Sequence, residues 1–169
     1  MLGEILKKED CASCRFCCSF RRCSLWETPI FTEENIDAIK NNTELDSDIL
    51  NIFLSESKQY ATYDLRNNYR TDDSEEETPC PYLSNNGCIL NAKEKPWDCK
   101  IWPLRVMKTD GGKLVIALTP TCPSVNKLDI EFIKSFVANK LADNLFEYAL
   151  NHPFLIKEYK DGFEILVHK

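Results

Sequence analysis

The chain has 169 residues, 43% of them hydrophobic and 28% charged, which is enough for one globular domain with a core of its own. Its 21 basic and 27 acidic side chains leave a net charge of −6, which argues against nonspecific binding to nucleic acid or to an anionic membrane surface, since both need a basic face. The first ten residues hold no apolar leader, and the longest strongly apolar run, Leu114–Leu118, is far short of the roughly 20 residues a membrane span needs, so the chain reads as cytoplasmic.

Chemistry is concentrated at the start. Cys11, Cys14, Cys17 and Cys18 fall within eight residues and Cys23 follows, while Cys80, Cys88, Cys99 and Cys122 are spread through the middle, nine in all. In a reducing compartment an odd count with a vicinal pair is poorly explained by disulfides. A thiolate metal centre, which needs about four soft ligands converging on one point, explains it better. On an ideal helix Cys11, Cys14, Cys17 and Cys18 would share one face of about 120°, with Cys23 opposite. Cys11 and Cys18 would then stand roughly 10 Å apart along the axis, so either the segment is a loop wrapped on one centre or the face serves two.

Further along, Thr32 is placed to cap a helix of about ten residues reaching Lys40, with Glu33 and Glu34 in its first turn. A second helix is expected over 47–58, presenting Ile49, Leu50, Ile52, Phe53 and Leu54 as a broad apolar face. Residues 60–69 are ambiguous, and the acidic stretch 71–77 reads as a solvated loop. Asn86-Gly87 predicts a tight reversal over 80–90 that would bring Cys80 and Cys88 together. Pro96 and Pro103 bracket an expected irregular loop that holds Cys99 between Trp97 and Trp102. Residues 104–109 and 113–119 flank Asp110-Gly111-Gly112 as a hairpin and deliver Cys122 just beyond it. Helical spacing of Ile130, Ile133, Val137, Leu141, Leu145 and Ala149 predicts one long core helix over 129–149, stopped at Asn151-His152-Pro153. A second hairpin is expected in the tail, around Lys160-Asp161-Gly162.

The two-residue gaps between Cys11, Cys14 and Cys17 reproduce the first three ligands of a bacterial ferredoxin run, with Cys80-Pro81 or Cys122-Pro123 available as a remote fourth. All-sulfur zinc sites use the same residue types, so zinc and iron both stay open. His152 and His168 lie in the last 18 residues and are read as surface or cap residues. Arg15, Arg21, Arg22, Lys7, Lys8, Lys100 and Arg105 flank the cysteines; such cations offset thiolate charge, and Arg15 is the one expected to support the centre directly. Phe16, Phe20, Trp97 and Trp102 are expected to shield it from solvent. Asp98 is the one carboxylate nominated for chemistry, against its plainer reading as a turn residue.

The ordered set Cys11, Cys14, Cys17-Cys18, Cys80-Pro81-Tyr82-Leu83, Cys88-Ile89-Leu90, Lys95-Pro96, Cys99-Lys100, Trp102-Pro103 and Cys122 resembles the CxxCxxCC family, also called the YkgJ-type cysteine cluster family. Lysines stand at positions 95 and 100, where that family usually has arginine, and Trp102 where it has phenylalanine, which keeps charge and aromaticity but loses guanidinium forks. The resemblance implies a zinc- or iron-chelating domain; the ferredoxin-like spacing adds a [4Fe-4S] cluster as one form of the cofactor. It also implies metal ligation by Cys11, Cys14, Cys17, Cys18, Cys80, Cys88, Cys99 and Cys122, with Cys23 as the extra thiol. The family is similar to the cysteine-rich part of flagellin lysine N-methylases, which keeps open an enzyme acting on a protein or peptide near Arg15, Tyr82, Trp97 and Asp98. A structural zinc-fold interaction protein is the third reading. The expected fold is a single α+β domain over 1–169, with cysteine motifs over 11–123 and a core helix and C-terminal hairpin over 128–169. Expected partners are a metal ion or cluster and an unidentified protein, with no nucleic acid and no membrane.

Overall fold

Local pairing decides most of this fold, because few of its segments are long enough to stand alone as helices. In the computed structural model, which describes residues 2–22 and 28–169, five α-helices and eleven strands are present among the described residues, the expected α+β class. They form two compact units, Lys8–Lys100 and Met1–Lys7 with Ile101–Lys169.

In the unit of residues 8–100, α1 (Lys8–Cys14) is ended by Arg15, whose left-handed backbone (φ 54°) turns the chain into one 3-10 turn, Phe16–Cys18. Strand β1 (Ser19–Arg21) follows and later pairs antiparallel with β5 (Glu77–Pro79). The four thiols of the first motif therefore do not lie on one continuous helix. Short β2 (Phe31–Thr32) runs into α2 (Glu33–Lys40), which starts at Thr32 and carries Glu33 and Glu34 in its first turn, as expected.

The helix expected over 47–58 is instead strand β3 (Leu50–Ser55), hairpinned to β4 (Lys58–Tyr63) in a sheet of order β2-β4-β3. Ser55 faces Lys58, leaving Glu56 and Ser57 as a two-residue loop with φ of 48° and 64°, the left-handed pair that matches strand twist. Partners in β4 outweigh an apolar run that is broader than what it buries, since Leu54 and Ile52 stay exposed. Phe20, Phe31, Ile36, Ile39, Leu50, Ala61, Tyr63, Leu65, Tyr82 and Leu90 form this unit's core.

The expected reversal over 80–90 is present as β6 (Leu83–Ser84) and β7 (Gly87–Cys88) around Asn85-Asn86. The positive φ (97°) belongs to Gly87, where an added Cβ would meet Ala12 Cβ of α1 at 3.2 Å. The loop expected between Pro96 and Pro103 is corrected: Trp97–Ile101 is a short helix, α3. Pro96 needs no N–H at a helix start, and its carbonyl accepts from the Cys99 and Lys100 amides at 3.1 Å.

In the other unit, the hairpin of β8 (Leu104–Lys108) and β9 (Leu114–Leu118) is as expected. The single helix over 129–149 is two, α4 (Ile130–Lys140) and α5 (Ala142–Asn151), separated at Leu141 (φ −123°). Just before the break, Asn139 Nδ2 donates to the Ser135 carbonyl at 2.8 Å, a local bond that competes with the helix ladder. The start at Asp129 is as expected, its carboxylate accepting from the Phe132 amide at 2.8 Å. The tail is not a hairpin: β10 (Lys157–Glu158) pairs parallel with β8 and β11 (Glu164–His168) antiparallel with β9, giving the order β10-β8-β9-β11. The two tail strands take opposite outer edges because the β8–β9 hairpin occupies the centre.

Candidate metal centre

Three segments of the unit of residues 8–100 carry its more buried thiols: the turn after α1, the stretch from β5 to β7, and α3. The pairing of Ser19 with Pro79 sets Cys18 beside Cys80, and the Cys80 amide donates to the Cys18 carbonyl at 2.7 Å. Helix α3 supplies Cys99, and the Asp98 carboxylate, buried, accepts from the Ile30 amide at 3.1 Å. That bond ties α3 to the segment before β2, so Asp98 is a fastening residue, placed in a helix and not in the loop turn of its plainer reading. The hairpin β6–β7 folds Cys88 back toward Cys80, and both pack against the core.

Electrostatics link these sulfurs pair by pair. The hydrogen bond from Cys17, together with Lys95 and Arg15, brings the Cys18 thiol down to about 7, against its burial. The same bond, reinforced by burial and by the nearby Cys18, Cys99 and Cys11, pushes Cys17 far upward. Burial raises Cys80 to about 11 against the opposing hydrogen bonds from the Tyr63 hydroxyl and the Tyr82 amide, with Cys18 and Cys88 adding to the rise. Burial also drives Cys99 well above the usual thiol range, with Asp98, Cys80 and Cys18 adding to it and Lys95 opposing.

Arg15 braces the turn: its Nε donates to the Ala12 carbonyl at 3.1 Å and its Nη2 to the Asn85 carbonyl at 2.7 Å, and its charge favours the Cys18 thiolate. Lys95 faces both Cys18 and Cys99 electrostatically, and the loop that carries it is held by Asn35, whose Nδ2 donates to the carbonyls of Lys93 (2.8 Å) and Lys95 (3.3 Å). Of the residues expected to shield the centre, Phe20 and Trp97 are buried and Phe16 is 57% exposed. Trp102 belongs to the other unit, where Arg105 lies over its ring at 5.3 Å. Tyr82, read as a candidate beside an open position, is buried, and its hydroxyl donates to the Asp46 carbonyl at 2.7 Å.

Tyr63 is the residue that sequence reading missed. Its hydroxyl lies 3.2 Å from Cys80 Sγ, yet it sits in the ambiguous stretch 60–69, forty-five residues from the first motif's last cysteine, and no spacing marks it.

Cys11 and Cys14 are exposed on α1, and Cys122 is buried in the turn after β9, in the unit of Ile101–Lys169. Cys23 lies outside the described residues. None of the eight described cysteines forms a disulfide. His152 stacks on Tyr148 at 4.5 Å between ring centres and His168 is exposed at the end of β11, in keeping with surface and cap roles. Among the described residues, no three Cys, His, Asp or Glu side chains converge closely enough to hold a metal ion as they stand. The donor set is nonetheless of one chemical kind, soft sulfur drawn from three segments, which suits zinc or iron and not a hard cation. Among the described residues no helix is long and apolar enough to cross a membrane. Compared with protein-family models, curated proteins and solved structures, the chain matches none.

Proposed function

We propose that the unit of residues 8–100 binds zinc or iron through cysteine thiolates, with Cys17, Cys18, Cys80 and Cys99 as the central donors. The observation that supports this best is geometric: the Cys80 amide bonds to the Cys18 carbonyl at 2.7 Å and the β6–β7 hairpin folds Cys88 back, so cysteines far apart in sequence lie on adjoining segments, with Arg15 braced against the same hairpin. A buried cluster of neutral thiols gains nothing from neighbouring cations, whereas a tetrathiolate site carrying net negative charge does.

The residues fit such a site by donor chemistry; convergence to bonding distance belongs to loading. Cys17 and Cys18 sit on a single 3-10 turn beyond a left-handed residue, so they can close inward without disturbing a longer helix. Cys80 follows a three-residue strand, β5, and Cys99 rides on a five-residue helix. Coupling of ion binding to local ordering is the usual behaviour of small thiolate sites. When bound, zinc would supply cross-linking of the three segments, and an iron-sulfur cluster would supply one-electron chemistry. Arg15 and Lys95 would offset the charge, Asn35 would hold the Lys95 backbone, and Asp98 would fasten the helix that carries Cys99.

Elemental analysis and a visible spectrum of anaerobically prepared protein test the proposal. The expected result is metal near one equivalent or more per chain, either as zinc or as iron with matching sulfide. Folded protein with no metal and no uptake on titration would overturn it. A catalytic reading, as an enzyme acting on a protein or peptide, gains no support from Tyr82 or Asp98, whose polar atoms are engaged in backbone hydrogen bonds.

A further inference from the structure

Tyr63 occupies a place where phenylalanine would fill the space equally well. It ends β4, is 6% exposed, and its ring is clamped by Phe20 at 5.6 Å, by Phe31 edge-on at 5.1 Å and by Tyr82 edge-on at 5.8 Å between centres. With three aromatic neighbours fixing the ring, the hydroxyl has little freedom, and it lies 3.2 Å from Cys80 Sγ.

A neutral thiol is a weak acceptor and a poor partner for a buried hydroxyl. A thiolate is a strong one, since hydrogen bonds to an ionised acceptor are about twice as strong as neutral ones. The hydroxyl therefore interacts differently with the two states of the sulfur, and only the metal-bound state gives it a full partner. Hydrogen bonds of this kind to ligating side chains typically govern metal affinity by about 10- to 100-fold.

Resting on the metal-binding reading above, we infer that Tyr63 is a positioning residue for the metal centre: its hydroxyl donates to the Cys80 thiolate and holds that sulfur in place as a ligand. Its aromatic cage makes the arrangement rigid before any metal arrives.

The test uses the full chain, reduced and metal-free, titrated with cadmium against a competing chelator while the sulfur-to-cadmium charge-transfer band is followed. Tyr63→Phe keeps the ring packing, so metal-free unfolding should change little. Its cadmium affinity should fall about 10-fold or more, and the charge-transfer band should move to longer wavelength because the sulfur lone pairs lose a stabilising donor. In a Cys80→Ser background, Tyr63→Phe should have no further effect on affinity. Wild type that binds cadmium with the same affinity and band position as Tyr63→Phe overturns the inference and leaves the metal site standing. Additive losses in the double variant overturn it too, since they would mark a packing role. Wild type that takes up no cadmium overturns the metal-binding reading itself, and the inference with it.

Discussion

Replacing Asn35 with alanine is the perturbation that best tests how the fold supports the site. The side chain is 3% exposed and uses both ends. Its Oδ1 accepts from the Thr32 amide at 3.1 Å and the Thr32 hydroxyl at 3.0 Å, while its Nδ2 donates to the Lys93 and Lys95 carbonyls. Losing the helix-start interaction costs about 1 kcal/mol. Two carbonyls left without their donor cost about 1 kcal/mol each when water cannot replace it. The sum is about 2–4 kcal/mol, discounted at its upper end because the Lys95 bond is long. Asn35→Asp separates the two ends: it keeps the acceptor at the start of α2, where acid is favoured, but loses the donor and sets a carboxylate against two carbonyls. Urea unfolding of reduced, metal-free protein should therefore find Asn35→Asp as destabilised as Asn35→Ala, or more so. If Asn35→Asp matched wild type and Asn35→Ala lost less than about 0.5 kcal/mol, the tether to the Lys95 loop would carry no weight and the reasoning would fail.

Gly87→Ala should destabilise by about 1–3 kcal/mol, because alanine is strained at φ 97° and its Cβ would press on Ala12 at 3.2 Å; thermal unfolding reads this directly. In metal-free protein Cys18 should be the first partly buried thiol alkylated by iodoacetamide, its rate rising with pH through about 7 as thiolate forms, while Cys17 lags far behind; peptide mass spectrometry assigns the sites. Lys95→Met should move that rise to higher pH, since a cation favouring the Cys18 thiolate is lost. Cys99→Ser should abolish metal uptake whereas Cys23→Ser should not, measured by metal content after anaerobic reconstitution. Phe31→Ala, at the centre of the core of residues 8–100, should cost about 3–5 kcal/mol in the same unfolding assay.

Legibility of the fold followed the range of the interactions that decide it. Starts and turns set by neighbouring residues could be read: the acid-led helix after Thr32, the helix start at Asp129, the reversal at Gly87 and the β8–β9 hairpin around Gly111-Gly112. Outcomes set by which segments pair as strands could not. Leu50–Ser55 has an apolar run that would suit either a helix or a strand, and its pairing with Lys58–Tyr63 made the choice. Residues 157–158 and 164–168 look like two arms of one hairpin, yet each finds a different strand. At the candidate site, local spacing marked the cysteines, and the reversal that folds Cys88 back could be read from Asn86-Gly87. Tyr63 carries no such mark, because its value comes from a sulfur 17 residues away in sequence and from rings on three other segments.

The strand order β10-β8-β9-β11 bears on how the chain is made. Strands β8 and β9 are joined by a short turn and can zip together within microseconds of emerging, whereas both of their outer edges wait for residues synthesised after α4 and α5. At a translation rate of about 5–20 residues per second, that hairpin spends seconds with two bare ribbon edges, each able to recruit a strand from another nascent chain. Its sequence, with Val106, Met107, Val115 and Ile116 buried in the finished unit, makes that interval the point at which expression would fail by aggregation. A ribosome-bound chaperone or a lowered growth temperature should act there, and a truncation before residue 157 should be insoluble even though it retains every cysteine.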